Sequence, residues 1–406
     1  MANIFEGVRV LDFTSNLAGP GSTALLADFG AEVIKVERPI AGDDIRGVSP
    51  RMEGQALFHH FSNRGKKSIV LALDDPRSKE LLYKMIQDTD IIAESYKPGQ
   101  MKKFGLDYES VVQIKPDIIY MSVSACGQTG GYSKKPGYDV IAQGMSGIMD
   151  LNGDPSGPPA RMGVPVGDYV GALNAAFAMA AALYHKMRTG EGQHLDISLL
   201  DGMVGINSMM EGALNLGTKP SRTGNHYANM APYGVYNGNN GQSCVISAYS
   251  PKGWNSLCAV MGRPDFANDP LVADNTARTK NIKYLVENVE AWLKQYDDIN
   301  EPIAMMEAAG IACCKIKSTS EVSKDDVLWE RGTLVEVETP PSFKENKTVK
   351  RRGPWIKMSK TPALVKRAPD LGEDSVFYLT QYGLSEQEVL DLEQSFVDAA
   401  KAKKKK

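Results

Sequence analysis

Three sets of residues in this sequence have the types and spacing to do chemistry. Gly19, Gly21 and Ala24 form a G-x-G-x-x-A pattern after one apolar run, and Glu37 closes the next run. Glycines at such a turn let backbone N–H groups approach a phosphate at a helix N-terminus, and an acidic residue about 20 positions on suits a ribose hydroxyl. That is a dinucleotide fingerprint, and it admits a nicotinamide-dependent dehydrogenase. Against it, Pro20 removes one N–H, Arg38 follows Glu37 directly, and no hydride-transfer constellation follows, so a packing turn accounts for the same residues. Asp168 follows Gly167 ahead of an alanine-rich stretch at 171–187. A carboxylate there has helix-terminal N–H groups to keep it ionised and to stabilise an oxyanion, and it serves equally as a plain N-cap. The third set is less promising. His59 and His60 are adjacent and point different ways on either regular structure, which makes a poor metal site; they read as packing or surface residues. His226 has only a loop position to recommend it, and Cys126 has no evident base and reads as a small core residue.

Composition narrows the classes. The 406 residues are too many for one ordinary core, so a large α/β body and a smaller domain are expected. Apolar residues make up 42% and charged residues 23%, an ordinary globular balance. A formal net charge of −3 offers no field for a nucleic-acid backbone, so no nucleic-acid partner is expected. The five cysteines are odd in number, scattered and without zinc spacing, which suits a reducing compartment and no metal. No apolar run is read as reaching the roughly 20 residues of a membrane span, and the start has no charged-then-apolar signal pattern. No membrane and a cytoplasmic location are expected.

The elements that must position these residues follow from periodicity. A β-prone run at 8–13, a helix-like stretch at 22–29 and a second run at 33–37 make a βαβ unit. Asp75 and Pro76 open a helix with Leu81, Leu82, Met85 and Ile86 on one face. Runs at 91–94 and 118–124 continue the alternation, predicting a doubly wound, mostly parallel sheet. The alanine-rich stretch is apolar nearly all round and is predicted to be a buried helix. From residue 226 the texture changes: strands are expected at 234–236 and 244–248 and a helix over 281–293. The expected division is a large domain at 1–202, a linker at 203–225, a small domain at 226–336, a linker at 337–362 and a return to the large domain at 363–406. A helix over 385–400 closes the chain, and the lysine tail 401–406 is expected to be a solvated, frayed end.

The order of motifs resembles family III CoA-transferases of the formyl-CoA and carnitine-CoA type. The resemblance rests on Gly7-Val-Arg-Val-Leu-Asp-Phe-Thr14, Ala18-Gly19-Pro20, Asp28 through Pro39, Gly42-Asp43, Pro98-Gly99, Gly105-Leu106, residues 122–127, Gly137-Tyr138-Asp139 and Ala142-Gln143 with Ser146-Gly147. Gly167-Asp168, Lys186 through Gln193, and Ala368-Pro369 with Leu371-Gly372-Glu373 complete it over essentially the whole chain. The resemblance implies an α/β fold with a Rossmann-like large domain and a smaller α/β domain, in an intertwined homodimer. It implies an acyl-CoA and a small carboxylic acid as substrates, with coenzyme A as the co-substrate. Asp168 falls where the family has its nucleophile. Arg38 falls on its CoA-binding arginine, Leu17, Ala18, Leu71, Ala72, Ser95, Tyr96 and Lys97 match segments along the CoA path, and Tyr138 is expected to bind CoA with them. Lys103 stands where the formyl-type enzymes have arginine and lacks its bidentate fork. Lys66 and Lys67 read equally as auxiliary phosphate partners or as a solvated strand edge.

Two further functions compete within the resemblance. The α-methylacyl-CoA racemases place a histidine in a Gly-His-Asp segment aligning with Gly137-Tyr138-Asp139; Tyr138 stands there instead, and a phenol is a poor base at neutral pH. A non-catalytic CoA-binding protein would not need Asp168. The formyl-type glycine run of the small domain is missing, with 237–242 the nearest candidate. The segment Ile311-Ala-Cys-Cys-Lys315 ahead of Ser320-Glu-Val322 is similar to the carnitine-type branch and suggests a betaine acid.

Overall fold

The computed structural model of the chain describes residues 3–404 and separates into two compact units. One takes the residues up to Ile148, Met162–Met210 and those from Asp326 on; the other takes Met149–Arg161 and Glu211–Asp325.

The first unit is organised by a parallel sheet of Arg9–Phe13 (β1), Glu32–Glu37 (β2), Lys67–Val70 (β3), Ile91–Glu94 (β4), Ile119–Ser124 (β5) and His194–Ser198 (β6). Their spatial order is β3-β2-β1-β4-β5-β6, the doubly wound order in which the winding reverses between β1 and β4. The strands are apolar without alternation because both faces are buried. Val10, Val33, Ile91 and Ile119 pack on one face with Leu26, Ala175 and Met179. Leu11, Ile34, Ile92 and Tyr120 pack on the other with Leu82, Met85 and Tyr378. The helix Pro76–Gln87 opens as its sequence predicts, Asp75 Oδ1 accepting from the Arg77 N–H at 2.8 Å, and buries Leu81, Leu82, Met85 and Ile86.

Five expectations need correction here. The alanine-rich helix runs Val166–Thr189, so Asp168 lies in its first turn rather than ahead of it. At 24 residues it is long and apolar enough, by length and composition alone, to cross a membrane, contrary to the reading that no run approached that length. Nor is it buried all round. Gly171, Ala172, Ala175, Met179 and Ala182 face the sheet and helix Ala18–Asp28, whereas Leu173, Phe177, Tyr184 and Met187 form an exposed stripe at helical spacing. Small residues make the packed face inconspicuous and large ones make the open face look like core. The stretch read as a loop-rich linker holds one strand of a hairpin, Leu334–Glu338 with Thr348–Arg352. The closing helix Glu386–Lys404 carries most of the lysine tail; Lys405 and Lys406 lie outside the described residues.

The second unit has a three-stranded antiparallel sheet with Ser243–Ser247 between Ala312–Lys315 and Tyr233–Asn237. Helices Pro251–Val260, Ile282–Leu293 and Asn300–Ala308 cover it through Trp254, Leu257, Leu285, Val289 and Met306.

Candidate active site

A cavity of about 310 Å³ opens at the carboxyl ends of the strands, where the winding reverses. Thr14, Ser15 and Asn16 after β1, Arg38 after β2, Ser95, Tyr96 and Lys97 after β4, and Ser124 and Cys126 at the end of β5 line it. Ser133, Lys135, Gly137 and Tyr138 complete the wall. Of the residues expected along the CoA path, the structure therefore brings together Arg38, Ser95, Tyr96, Lys97 and Tyr138. Leu17 caps helix Ala18–Asp28 and Ala18 begins it; Leu71 is in the core with Ala72 against it; Lys103 is exposed on helix Gln100–Phe104. None of these five lines the cavity.

Lys135 and Asn16 escaped the sequence reading. Lys135 follows the glycine-rich turn at 127–131, but only the fold brings it to the cavity that Arg38 lines. The cavity thus presents Arg38, Lys97 and Lys135 as exposed cations. Arg38 pairs with Asp44, both side chains more than half exposed. Such an exposed pair is worth about 0–1 kcal/mol, so a phosphate displaces Asp44 at little cost.

The cavity floor is a buried ionic network that fixes these loops. Lys35 Nζ donates to Thr14 O at 2.7 Å and lies 2.9 Å from Asp43 Oδ2. Asp43 Oδ1 also accepts from Ser15 Oγ at 2.8 Å, the Asn16 N–H at 2.9 Å and the Ile45 N–H at 3.0 Å. Asn16 sits at φ 70°, a left-handed conformation asparagine tolerates and this hydrogen bond holds. Although burial opposes ionisation, Lys35 and those N–H groups hold the Asp43 carboxyl well below its usual range. Burial likewise opposes the Glu37 charge, but Arg46, bound to both its oxygens, brings its pKa down to about 2. Glu37 is spent on this pair and offers nothing to a ribose. The glycines of the fingerprint serve packing: a Cβ on Gly19 would sit 2.5 Å from Thr14 Cβ, and one on Gly21 would touch Ala172. The dehydrogenase reading ends here.

Lys66 is not an auxiliary phosphate partner either. It is buried on Asp12 at 2.7 Å, with burial lowering its pKa to about 8 against the attraction of Asp12. Lys67 pairs with Asp374. His59 and His60 are both buried: His59 bonds Pro369 O and Asn63, and His60 packs edge-on to Phe343. Among the described residues no cluster of three potential ligands is placed to hold a metal. Cys126 lines the cavity, but burial raises its thiol pKa, so it is no thiolate nucleophile. His226 lies in the second unit, bridged to Gly234.

Asp168 is half-buried, and no hydrogen bond to its carboxylate occurs among the described residues. The helix-terminal amides expected to keep it ionised are taken by another side chain. Asp139 Oδ1 accepts the Gly167 N–H at 2.7 Å and the Asp168 N–H at 3.3 Å, while its Oδ2 accepts from Gln143 at 2.7 Å. Gly167 makes room for this, since a Cβ there would meet Asp139 Oδ1 at 3.0 Å. Burial first, and the Asp139 charge second, push the Asp168 carboxyl up to about 7. Asp139 directly follows Tyr138, so the cap ties the start of the helix to the wall of the cavity.

A carboxyl of raised pKa, tied through Asp139 to the wall of a switch-point cavity with three cations, is suited to acyl chemistry on an anionic nucleotide-bearing substrate. The model of CoA-transferase family III matches residues 5–375. The chain belongs to CoA-transferase family III. A succinate–glutarate CoA-transferase of Agrobacterium fabrum is 35% identical over 388 residues, covering 93% of this chain and 95% of that protein. An acetyl-CoA:oxalate CoA-transferase of Acetobacter aceti is 39% identical over 296 residues, 72% of this chain and 75% of that protein. A CaiB/BaiF family protein from Brucella suis has a crystal structure matching with a TM-score of 0.84 at 32% identity, covering 94% of this chain and 100% of that one.

A family III CoA-transferase takes a CoA thioester as co-substrate, and the exposed cations of the cavity suit its phosphates. Arg38→Ala is expected to raise the KM of the acyl-CoA donor about 10- to 100-fold, as for the loss of one charge-assisted bond of about 1.5–3 kcal/mol. The KM of the free acid should stay within about twofold. Steady-state kinetics varying each substrate in turn decide this, and an unchanged donor KM removes Arg38 from the CoA site.

Proposed function

We propose that this family III CoA-transferase moves CoA from an acyl-CoA thioester to a dicarboxylic acid through covalent intermediates on Asp168. Ionised Asp168 attacks the thioester carbonyl, forming an acyl-aspartyl anhydride and releasing CoA thiolate. The thiolate attacks the aspartyl carbonyl, giving an aspartyl-CoA thioester and the free donor acid. The acceptor carboxylate then displaces the thiolate from aspartyl-CoA, and the thiolate takes the new acyl group from the mixed anhydride, restoring Asp168. No external proton or electron is needed.

The observation that carries this reading is the Asp168 carboxyl itself, unclaimed by any side chain among the described residues yet held at the start of a 24-residue helix by the Asp139 cap. A racemase would need a base at Tyr138, a phenol that is 73% exposed. The dicarboxylic acid is supported by the names of the relatives, which specify succinate, glutarate and oxalate. The betaine-acid reading rested on 311–315, and strand pairing of Ala312–Lys315 accounts for that segment. The experiment is a panel of succinate, glutarate, oxalate, carnitine and butyrate offered with several CoA donors and read by mass spectrometry. Preference for a dicarboxylate is expected; preference for carnitine overturns this part of the reading.

The working form we propose is a homodimer in a reducing, cytoplasmic compartment. The exposed Leu173–Phe177–Tyr184–Met187 stripe is an apolar face for a second copy, and the five cysteines are free thiols. Light scattering should give a particle of twice the 44.2 kDa chain, and the mass of a single chain in active enzyme would refute the dimer.

A further inference from the structure

The arginines of the first unit that are buried or nearly so mostly have their nitrogens committed. Arg46 forks onto Glu37, Arg64 onto Asp28 and the Phe61 carbonyl, and Arg351 onto the carbonyls of Arg352 and Lys366. Arg352, the last residue of its hairpin strand, differs. It is half-buried and forms no ion pair among the described residues; its side chain makes one hydrogen bond, Nη1 donating to Tyr169 Oη at 2.6 Å. Nε and Nη2 have no protein acceptor among the described residues. The guanidinium is nonetheless held in place, its central carbon 3.5 Å from the centroid of the Phe61 ring and 5.5 Å from that of Tyr169. Trp355 completes the cluster, stacked on Phe61 at 5.9 Å and edge-on to Tyr169 at 5.7 Å.

A guanidinium fixed against an aromatic face with one side of its fork free is preorganised for a planar oxyanion and lacks one among the described residues. Its partner Tyr169 is the neighbour of Asp168. None of the four cluster residues lines the cavity that holds Arg38, Lys97 and Lys135, so the CoA phosphates have their cations elsewhere. The aromatic walls suit a short methylene chain. The geometry points to Arg352 as the anchor of the distal carboxylate of the acid substrate, the group that separates a dicarboxylic acid from a monocarboxylic one. This assignment rests on the proposal that the acid is a dicarboxylate.

The test has two arms. In wild-type enzyme without CoA, modification of the Arg352 peptide by phenylglyoxal, followed by mass spectrometry, should be slowed at least about fivefold by glutarate and not by butyrate. In kinetics, Arg352→Met should raise the glutarate KM about 10- to 100-fold and leave the butyrate KM within about twofold, and Arg352→Lys should fall between. Failure of glutarate to protect Arg352, or equal losses on both acids, overturns the assignment; equal losses would make Arg352 a support for Tyr169 alone. Protection by glutarate without transfer to it would keep the anchor and defeat the reaction proposed above. Transfer to glutarate without protection would do the reverse.

Discussion

Asp168→Ala should lower CoA transfer by more than a thousandfold while the protein stays folded. A loss of that size corresponds to more than about 4 kcal/mol in the barrier, beyond what a misplaced substrate contact gives. The fold should tolerate the change because the Asp168 carboxylate has no hydrogen-bond partner among the described residues, and the helix is capped by Asp139 instead. The same environment sets the pH dependence. Only the ionised carboxyl is nucleophilic, and burial with the Asp139 charge places its pKa near 7. The active fraction therefore grows as pH rises through about 7, so kcat/KM should fall about tenfold per pH unit on the acid side and level off above about 8. Asp139→Asn removes the neighbouring charge while keeping an oxygen for the Gly167 amide, which should move the midpoint to lower pH. A profile that is flat from pH 5.5 to 8.5 in wild type, or a midpoint that does not move in Asp139→Asn, contradicts this account of Asp168.

The second large effect concerns the floor of the cavity. Asp43→Ala removes one carboxylate from Lys35, Ser15, Asn16 and Ile45 together. Among the described residues, the buried Lys35 ammonium keeps only the Thr14 carbonyl as a hydrogen-bond partner. Breaking a buried pair by deleting one partner typically costs about 3–5 kcal/mol, because the surviving charge stays desolvated. A clear fall in the denaturant midpoint is expected, with a raised donor KM at temperatures where the variant remains folded, since Ser15 and Asn16 line the cavity. Asp43→Asn keeps the acceptor for those N–H groups and should lose less. Equal stability of Asp43→Ala and wild type would show that the network is not what holds these loops.

The central strands were legible because they are buried on both faces: Val10-Leu11, Val33-Ile34 and Ile91-Ile92 read as continuous apolar runs. The strands that escaped, Lys67–Val70 and His194–Ser198, are the two edges of the sheet. Both are short, and His194-Leu195-Asp196-Ile197-Ser198 looks like a loop in isolation. Within the site, Arg38, Ser95, Tyr96 and Lys97 were reached through motif order, since each follows a strand directly. Lys135 and Arg352 were not, because what matters joins segments far apart in the chain: Lys135 lines the same cavity as Arg38, and Arg352 donates to Tyr169 across 183 positions. Asp139 shows the same limit. Local spacing gave the helix amides to Asp168, and a carboxylate nearly thirty positions away took them.

The covalent step can be observed directly. Wild-type enzyme incubated with an acyl-CoA donor and no acceptor should accumulate an activated aspartyl group, which hydroxylamine converts to a hydroxamate. Peptide mass spectrometry should then find the adduct on the peptide containing Gly167-Asp168-Tyr169, dependent on donor and missing in Asp168→Ala. An adduct on another residue, or transfer that proceeds at the wild-type rate with no trappable adduct at Asp168, would contradict the claim that Asp168 is the nucleophile.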